Sequence, residues 1–418
     1  MNEPVIISTF EHRSIRLPLS DLLEIEFQDY PNLIESVSLR KGEFYTGYFI
    51  GLTRIAANRH ILYVAPKYDD GVITGSTDYL QMLSSCLRHP EVLGHTEKLF
   101  EIDFDSEPIN IAQASDMITP LIVVQFLRSV RRIVQKGLQK DYYNKTENKK
   151  SSVKGKILVS RTIRQNHLKQ DKLHTWCTYQ EFGLNNPQNR LLKTTLQFIQ
   201  RFAETGAVNK LNLEASLRFI KPAFEDIDQD FDPKEIEHFK ANSFFSEYSE
   251  AVKLAKILLK RFGYQLNAVR KEDKTSIPPF WIDMSKLFEL YVLGKLKEIL
   301  SPGELIYQAN GKFGELDFLR TTKGEEIIID AKYKPVYAKG GYDIDNIRQL
   351  SAYARDKGLL EQLNIDRKDW KFTVLPCLII HPDKNAGYQL QKDILFKHPI
   401  KEFERFFKAG INIPEIDI

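Results

Sequence analysis

Cysteine is scarce in this chain, and its placement excludes two classes of small domain. The chain has 418 residues, and Cys86, Cys177 and Cys377 are its only cysteines. They are far apart, odd in number and without a Cys-x-x-Cys spacing, whereas disulfide frameworks and zinc fingers need paired or closely spaced cysteines. The sequence therefore predicts neither, and reduced cysteines fit an intracellular protein.

Long apolar runs are also missing. The longest, near residues 118–127, contains Pro120 and Gln125 and is too short to span a bilayer. The first residues, Met-Asn-Glu-Pro, lack the basic start and apolar stretch of a secretory signal. We expect a soluble cytoplasmic protein that does not contact a membrane.

Neither sign of charge dominates. The chain carries 59 Lys and Arg against 56 Asp and Glu, for a net charge of +3. This balance does not mark a nucleic-acid-binding protein but permits one, because local basic patches matter more than the sum. The hydrophobic fraction of 42% is that of an ordinary globular protein.

The order of strand and helix patterns predicts a multidomain α+β protein. Residues 1–110 form a β-rich domain, and residues 111–270 form a mainly helical middle region. A polar, proline-terminated segment at 271–279 marks a boundary. The last domain, 271–418, has the pattern of a helix, three strands, a helix and a strand, which predicts a mixed sheet flanked by helices.

Local patterns define individual elements within these domains. Predicted strands lie at 5–7, 36–39, 45–55, 60–64, 304–308 and 372–380. Predicted helices lie at 78–87, 118–138, 188–202, 247–262, from Asp283 or Ser285 to 300, and 345–354 with Asp345 as cap. The polar stretch 144–152 is expected to be a loop or mobile segment.

Two groups of polar residues in the middle region have more than one interpretation. The helix around residues 128–136 carries Arg128, Arg131, Arg132 and Lys136, which can bind DNA phosphates, face solvent or contact a partner. Asn189 and Arg190 suit a capping cluster at a helix N-terminus better than an interface.

A β-hairpin is predicted in the last domain, where residues 313–320 and 325–333 flank a Thr-Thr-Lys-Gly turn. If Arg320 pairs with Glu325, Asp317 lies opposite Ile328 and diagonally across from Asp330. Side chains alternate along a strand, so both carboxylates then share one face, roughly 5–8 Å apart. A one-residue change of register would separate them.

The residue types on this face suit metal-dependent hydrolysis. Asp330 ends the apolar run 327–329, where a buried carboxylate is costly unless a cation compensates it. A hard divalent cation takes oxygen ligands and polarises a phosphodiester. Lys332 can orient the attacking water or stabilise the developing charge. The alternative is a Lys-Asp pair on an exposed hairpin, since Asp-x-Lys is common by chance.

Three further residues are candidates for this site. Gln349 and Tyr353 are four residues apart on one helix face, where they can contact the DNA backbone, brace the lysine or belong to an ordinary half-buried face. Glu289 can contact a metal or water, or be a boundary glutamate paired with a lysine.

At these residues the sequence resembles the PD-(D/E)xK nuclease superfamily. Asp317 and Asp330-Ala331-Lys332 are similar to its acid, acid and lysine motif, Gln349-x-x-x-Tyr353 to the helix motif of the RecB-like branch, and Glu289 to the acid of its first helix. The resemblance implies an α/β/α endonuclease domain that uses Mg²⁺, for which Mn²⁺ can substitute. The implied catalytic residues are Asp317, Asp330, Lys332, Gln349 and Tyr353. The implied metal ligands are Asp317, Asp330, Glu289 and the backbone carbonyl of Ala331, and the implied DNA contacts are Lys334 and Arg348.

More of the chain resembles the McrC family, the nuclease subunits of McrBC modification-dependent restriction systems. The similar segments are the helix at 283–292, Gly155-Lys156-Ile157, the Asn-rich segment 186–193, Gly47-x-x-x-Gly51 and Ala65-Pro66-Lys67. This chain is longer than expected of that family, and the extra length falls in the middle region.

The McrC resemblance implies an antiphage endonuclease that cuts modified double-stranded DNA together with a McrB-like AAA+ GTPase hexamer. The partner recognises modified cytosine, such as 5-methylcytosine, and the N-terminal domain of this chain inserts into the ring and stimulates GTP hydrolysis. The sequence has no Gly-x-x-x-x-Gly-Lys-Ser/Thr loop, so we expect no nucleotide bound by this chain itself. The alternatives are a catalytically silent activator or scaffold of the AAA+ partner, and a PD-(D/E)xK nuclease of DNA repair.

Overall fold

A computed structural model describes residues 5–25, 33–69, 76–111, 118–202, 211–228, 246–267, 275–312, 314–384, 386 and 389–416. The chain divides into two compact units. The first contains Met1–Ile118, Lys210–Ala215 and Glu272–Ile418, and the second contains Thr119–Asn209 and Ser216–Lys271. The predicted first and last domains thus lie in one unit. The three-domain division stays a prediction, and residues 271–274 of the proposed boundary lie outside the described residues.

The N-terminal part of the first unit is rich in short strands. Its elements are β1 (Val5–Phe10), β2 (Ser14–Arg16), α1 (Leu19–Leu22), β3 (Ile34–Ser38), β4 (Glu43–Thr46), β5 (Phe49–Ile55), β6 (His60–Ala65), β7 (Ser76–Thr77), α2 (Tyr79–Leu87), β8 (Phe100–Ile102) and β9 (Ile109–Ile111). The predicted strands and the helix at 78–87 are confirmed, although the predicted strand 45–55 is divided between β4 and β5. Asp78 caps α2 by accepting a hydrogen bond from the backbone N–H of Gln81 at 2.9 Å.

The C-terminal part of the same unit alternates helices with strands. Its elements are β13 (Thr275–Ile277), β14 (Phe280–Asp283), α8 (Met284–Ile299), β15 (Leu305–Asn310), β16 (Glu315–Arg320), β17 (Ile327–Ala331), α9 (Ile344–Tyr353), α10 (Lys357–Gln362), β18 (Cys377–Pro382), β19 (Phe406–Ile411) and β20 (Glu415–Ile416). Asp283 caps α8, as predicted, by accepting from the N–H of Lys286 at 2.9 Å. The cap of α9 was predicted wrongly. It is Asp343, which accepts from the N–H of Asp345, so Asp345 already lies in the first turn.

Strand pairing explains why the two ends of the chain share a unit. The sheet order β1-β6-β5-β14-β8 places β14, from the C-terminal segment, between two N-terminal strands. The pairs β9–β13 and β7–β20 join the two segments again. Since β14 ends at the cap of α8, the N-terminal sheet fixes where this helix begins.

The remaining large sheet has the order β15-β16-β17-β18-β19. The pairs β15–β16 and β16–β17 are antiparallel, whereas β17–β18 and β18–β19 are parallel. This confirms the predicted mixed sheet. All residues of β18 are buried, as expected of a central strand. The predicted start of this strand at 372 was wrong: Trp370–Phe372 is a 3-10 turn that leaves the Phe372 side chain 78% exposed.

The second unit combines helices with a polar sheet. Its described elements are α3 (Ile118–Lys136), β10 (Asp141–Lys150), β11 (Lys156–Ile157), α4 (Val159–Gln165), β12 (His174–Gly183), α5 (Pro187–Phe202), α6 (Glu214–Ile220) and α7 (Ser246–Asn267), with Ile118 and the first residues of α6 assigned to the first unit. The predicted helices at 118–138, 188–202 and 247–262 are confirmed.

The prediction of a loop at 144–152 was wrong. β10 pairs antiparallel with β12 from Asp141 opposite Gly183 to Lys150 opposite His174. Low apolar content does not prevent a strand whose backbone is paired along its whole length. Cross-strand polar contacts add to the pairing, such as the hydrogen bond from the Tyr179 hydroxyl to Glu147 at 2.8 Å.

Polar groups in the middle region are used within this unit. Arg128 donates to Glu250 at 3.3 Å, Lys136 pairs with Glu247, and the Arg131 guanidinium lies 4.3 Å from the centre of the Phe219 ring. Arg128 and Arg131 are thus used within the unit, whereas the Lys136 side chain stays 67% exposed. DNA binding by this helix stays a prediction.

The interpretation of the asparagine-rich segment as a capping cluster is confirmed. The Asn186 side chain accepts from the N–H of Asn189 at 3.0 Å, at the start of α5. Asn189 in turn donates to the carbonyl of Gln139 at 2.9 Å.

Cys86, Cys177 and Cys377 are all buried and unpaired. Across the ranges that the structure describes, no helix combines the length and the apolarity needed to cross a membrane.

Replacing Gly51 by alanine is expected to destabilise the first unit. Gly51 has φ +149°, and a Cβ there would lie 2.1 Å from the carbonyl oxygen of Phe280 on the paired strand β14. We expect Gly51→Ala to lower the free energy of unfolding by about 2–4 kcal/mol in urea titrations. Gly94→Ala is the matched control, because a Cβ there meets nothing within 4 Å. Equal effects of the two substitutions would contradict this close approach.

Candidate active site

The hairpin β16–β17 places two carboxylates opposite each other. Its register pairs Arg320 with Ile327 and Phe318 with Ile329, so Asp317 faces Asp330. The predicted register, with Arg320 opposite Glu325, was wrong by two residues. The cause is a longer turn: the carboxylate of Glu325 leaves the ladder and pairs with the buried guanidinium of Arg320. Because side chains alternate with a period of two, this shift keeps both aspartates on one face.

Backbone and side-chain contacts hold these groups in place. The N–H of Ala331 donates to Asp317 Oδ2 at 2.9 Å. Lys332 Nζ lies 2.9 Å from Asp330 Oδ2, and the N–H of Lys332 donates to the carbonyl of Ile380 at 2.9 Å. Asp330 is only 2% exposed. The end of β17 is therefore fixed between β16 and β18, with its carboxylate and its lysine paired.

The two aspartates resist ionisation together. Burial raises the pKa of Asp317 to about 7, and the negative charges of Asp330 and Glu289 act in the same direction. Burial also raises the pKa of Asp330, with Lys332 opposing it. Burial would lower the pKa of Lys332, but the two aspartates outweigh it and raise that pKa. Lys332 is therefore a cation at neutral pH. A further positive charge beside the two carboxylates would still be stabilised, because burial and neighbouring negative charge raise their pKa values.

Glu289 of α8 lies close enough to influence both aspartates but is held by other groups. Its carboxylate accepts from Lys286 Nζ at 2.8 Å and from the Tyr307 hydroxyl at 2.7 Å. This is the lysine-paired arrangement that was one of its two interpretations. Among the residues that the structure describes, no three His, Cys, Asp or Glu side chains form a group able to hold a metal ion. The opposed pair Asp317 and Asp330 is thus the candidate core of a cation site.

The helix α9 contacts the start of the strand that carries Asp317. The Tyr353 hydroxyl donates to the carbonyl of Glu315 at 3.1 Å, and a Cβ at Gly314 would lie 2.8 Å from that hydroxyl oxygen. Tyr353 therefore braces the start of β16, the strand that carries Asp317. Gln349 is exposed on the same helix.

The two candidate DNA contacts are paired with acids near the start of α9. Lys334 Nζ lies 2.6 Å from the Asp343 carboxylate. Arg348 pairs with Asp345 at 3.0 Å, and both side chains are exposed. Lys334 also lowers the pKa of Asp330, although burial of that carboxyl acts more strongly in the opposite direction. Lys334 is thus electrostatically coupled to the carboxylate pair.

A buried cluster of Glu11, Lys67 and Tyr333 lies next to Lys332 in the chain and was not predicted from the sequence. Lys67 Nζ lies 4.1 Å from the centre of the Tyr333 ring and 3.5 Å from the carboxylate of Glu11, which is 1% exposed. Burial raises the pKa of Glu11 to about 7, opposed by Lys67. Tyr333 directly follows Lys332, so this cluster connects the N-terminal sheet to the candidate site. The segment Ala65-Pro66-Lys67 was the only sequence signal for it.

A scan against protein-family models gives the family of the chain. Residues 48–358 match the model described as "McrBC 5-methylcytosine restriction system component". The chain belongs to this family. The matched range includes the N-terminal strands from Tyr48 onward, the middle region, Asp317, Asp330 and Lys332.

More remote likenesses to McrBC structures were found. A refined half-complex of the tetradecameric assembly of Thermococcus gammatolerans McrB AAA+ hexamers with bound McrC is similar over 98% of this chain and 94% of that chain, at 16% identity and a TM-score of 0.36. The cryo-EM structure of the Thermococcus gammatolerans McrBC complex is similar over 70% of this chain and 87% of that chain, at 16% identity and a TM-score of 0.26. At such TM-scores these likenesses add nothing to the assignment of this family member.

A curated tRNA/tmRNA (uracil-C(5))-methyltransferase of Nautilia profundicola is 24% identical over 197 residues. The match covers 42% of this chain and 51% of that protein, so the chain spans about half the length of this relative. A match confined to parts of both chains does not extend that protein's activity to this family member.

The raised pKa of Asp317 predicts a pH-dependent stability in metal-free buffer. Its folded-state pKa of about 7 exceeds the ordinary 3.8, so folding binds a proton between these values. The contribution of Asp317 to stability is therefore full below about pH 4 and is lost as the pH rises through 7. We expect Asp317→Asn, which keeps an acceptor for Ala331, to raise the free energy of unfolding at pH 8 by about 2–4 kcal/mol.

The same substitution is expected to have little effect on unfolding at pH 4. Asp366→Asn is the control, because Asp366 is exposed beside Lys368. If Asp317→Asn destabilises the chain at pH 8 without metal, the two carboxylates do not repel each other as described.

Proposed function

We propose that this chain is the DNA-cleaving subunit of a McrBC-like restriction system and that its nuclease centre has the PD-(D/E)xK arrangement. The observation that carries this is the opposition of Asp317 and Asp330 at the end of a buried strand, with Lys332 beside them. Membership of the McrBC component family supports the restriction context.

The donor set of the pair suits a hard divalent cation. Two carboxylates that both resist ionisation gain most from a cation, and Mg²⁺ is usually held by one or two carboxylates with several waters. Asp317 and Asp330 would hold it, with the carbonyl of Ala331 and a released Glu289 as further oxygen donors. When bound, Mg²⁺ or Mn²⁺ supplies Lewis-acid polarisation of a phosphodiester and a more acidic water.

Lys332 has a role of its own in this proposal. Its ammonium remains charged at neutral pH and is anchored by Asp330 at 2.9 Å. From there it orients the attacking water and stabilises the negative charge that grows on the phosphate oxygens. Tyr353 positions β16 through the carbonyl of Glu315 and does not need to touch the substrate.

The partner belongs to the same proposal. We infer that a McrB-like AAA+ GTPase hexamer recognises modified cytosine in double-stranded DNA and that this chain stimulates its GTPase and cuts the DNA. The family description includes 5-methylcytosine restriction. The chain has no phosphate-loop motif, which suits a subunit that leaves nucleotide hydrolysis to another protein.

A cleavage assay with Asp330→Asn tests this function. Methylated and unmethylated duplexes are incubated with the chain, the candidate GTPase, Mg²⁺ and GTP, and parallel reactions omit one component. Loss of a metal ligand is worth several kcal/mol at the transition state, so we expect a rate at least ~10³-fold lower for Asp330→Asn. Asp366→Asn, the same change at an exposed site, is expected to cut like the wild type.

The other outcomes separate the alternatives. If the chain cuts DNA alone, the nuclease proposal stands and the proposed dependence on a GTPase is contradicted. An unchanged rate for Asp330→Asn would contradict the site. A rise in GTP hydrolysis without any cutting would identify an activator that does not cleave.

A further inference from the structure

A cavity of about 700 Å³ lies within the first unit, between the N-terminal sheet and the segment that follows β17. Its N-terminal wall comes from the turn after β1 and from the end of β6, and its C-terminal wall comes from residues 334–339 and 383–384. Its charged lining residues are Glu11, Arg13, Lys67, Lys334, Lys339, Asp383 and Lys384.

The charge of this lining is unbalanced. Five of the described lining residues are Lys or Arg, and two are Glu or Asp. One of those two, Glu11, is ion-paired at 3.5 Å with Lys67 of the same lining. Lys334 and Lys384 also pair with Asp343 and Glu415, which are outside the lining. The lining is therefore a modest local excess of positive charge in a chain whose net charge is +3.

The N-terminal wall is built rigidly. Thr46 Oγ1 accepts from the N–H of Arg13 at 2.9 Å and donates to the carbonyl of Phe10 at 2.7 Å. The ring of His12 meets Tyr48 edge to face at 4.3 Å between ring centres. On the floor, Lys67 is fixed between Glu11 and the Tyr333 ring. A cavity with fixed walls needs little ordering when a ligand binds.

Lys334 connects this cavity to the candidate active site. It lines the cavity and lies two residues beyond Lys332. Its charge contributes to lowering the pKa values of His12 and Lys67, for which burial is the main cause. Lys67, which also lines the cavity, contacts the ring of Tyr333, and Tyr333 directly follows Lys332. The cavity therefore lies next to the chain segment that carries Lys332.

We propose that this cavity binds the phosphate backbone of the DNA strand next to the bond that is cut. This inference rests on the proposed function and adds a role for the N-terminal segment, which contributes Arg13 and Lys67 to the cavity lining. Backbone phosphates favour clusters of Lys and Arg and do not require base-specific contacts. Binding here would set the position of the strand relative to Asp330 and would not select its sequence.

Lys339 gives the cleanest test because its side chain is exposed on the cavity wall. Binding of a fluorescent duplex to the full chain is measured by anisotropy over a series of salt concentrations, without divalent cations so that the DNA stays intact. We expect Lys339→Glu to weaken binding by about 3–10-fold and to reduce the slope of log K against log salt by about one. Lys384→Gln, which removes a second lining charge, is expected to act in the same direction.

Lys323→Glu is the matched control. It reverses an exposed lysine in the β16–β17 turn, outside the cavity lining. If Lys339→Glu and Lys384→Gln leave the affinity and slope at wild-type values, or if Lys323→Glu changes them equally, the proposal is overturned. Competition by GTP as strong as by DNA would also overturn it and assign the cavity to a free nucleotide.

Cleavage measured in parallel separates this inference from the proposed function. If the Lys339→Glu chain cuts DNA and its DNA binding has the salt dependence of the wild type, the cavity proposal is contradicted and the nuclease proposal stands. If the wild type does not cut DNA but its DNA binding depends on the cavity residues, the nuclease proposal is contradicted and the cavity proposal stands.

Discussion

The central constraint on this molecule is the opposition of two carboxylates at the end of a strand buried on both sides. Asp330 can stand there only because β16, β18 and Lys332 fix its surroundings, and Asp317 adds a second negative charge across the hairpin. Burial raises the pKa of both carboxyls, and the charge of Asp330 raises that of Asp317 further. A divalent cation would relieve this, which ties the proposed chemistry to the fold of one sheet.

The N-terminal sheet is part of this arrangement and not an appended module. β14 completes that sheet and leads directly into α8, which carries Glu289 and Lys286. On the other side, Lys67, which pairs with Glu11, contacts the ring of Tyr333 immediately after the lysine of the site. A change in the N-terminal sheet would therefore reach both ends of the candidate site, which would give a physical route for control of the proposed cleavage.

The sequence allowed the site to be predicted better than its surroundings. Alternation along the hairpin placed Asp317, Asp330 and Lys332 on one face even though the register was two residues off, because an even shift preserves the face. The turn length depended on the Arg320–Glu325 pair, which no local pattern indicates. Non-local pairing also hid the polar strand β10, the insertion of β14 between N-terminal strands and the Lys67–Glu11–Tyr333 cluster.

The most direct measurement is Mn²⁺ binding to the full chain by electron paramagnetic resonance. The account predicts one class of bound ion that weakens as the pH falls below about 7, where Asp317 takes up a proton. Asp317→Asn or Asp330→Asn should abolish this binding, and Asp366→Asn should leave it unchanged. Equal binding by the wild type and both site variants would show that the opposed carboxylates do not hold a metal ion.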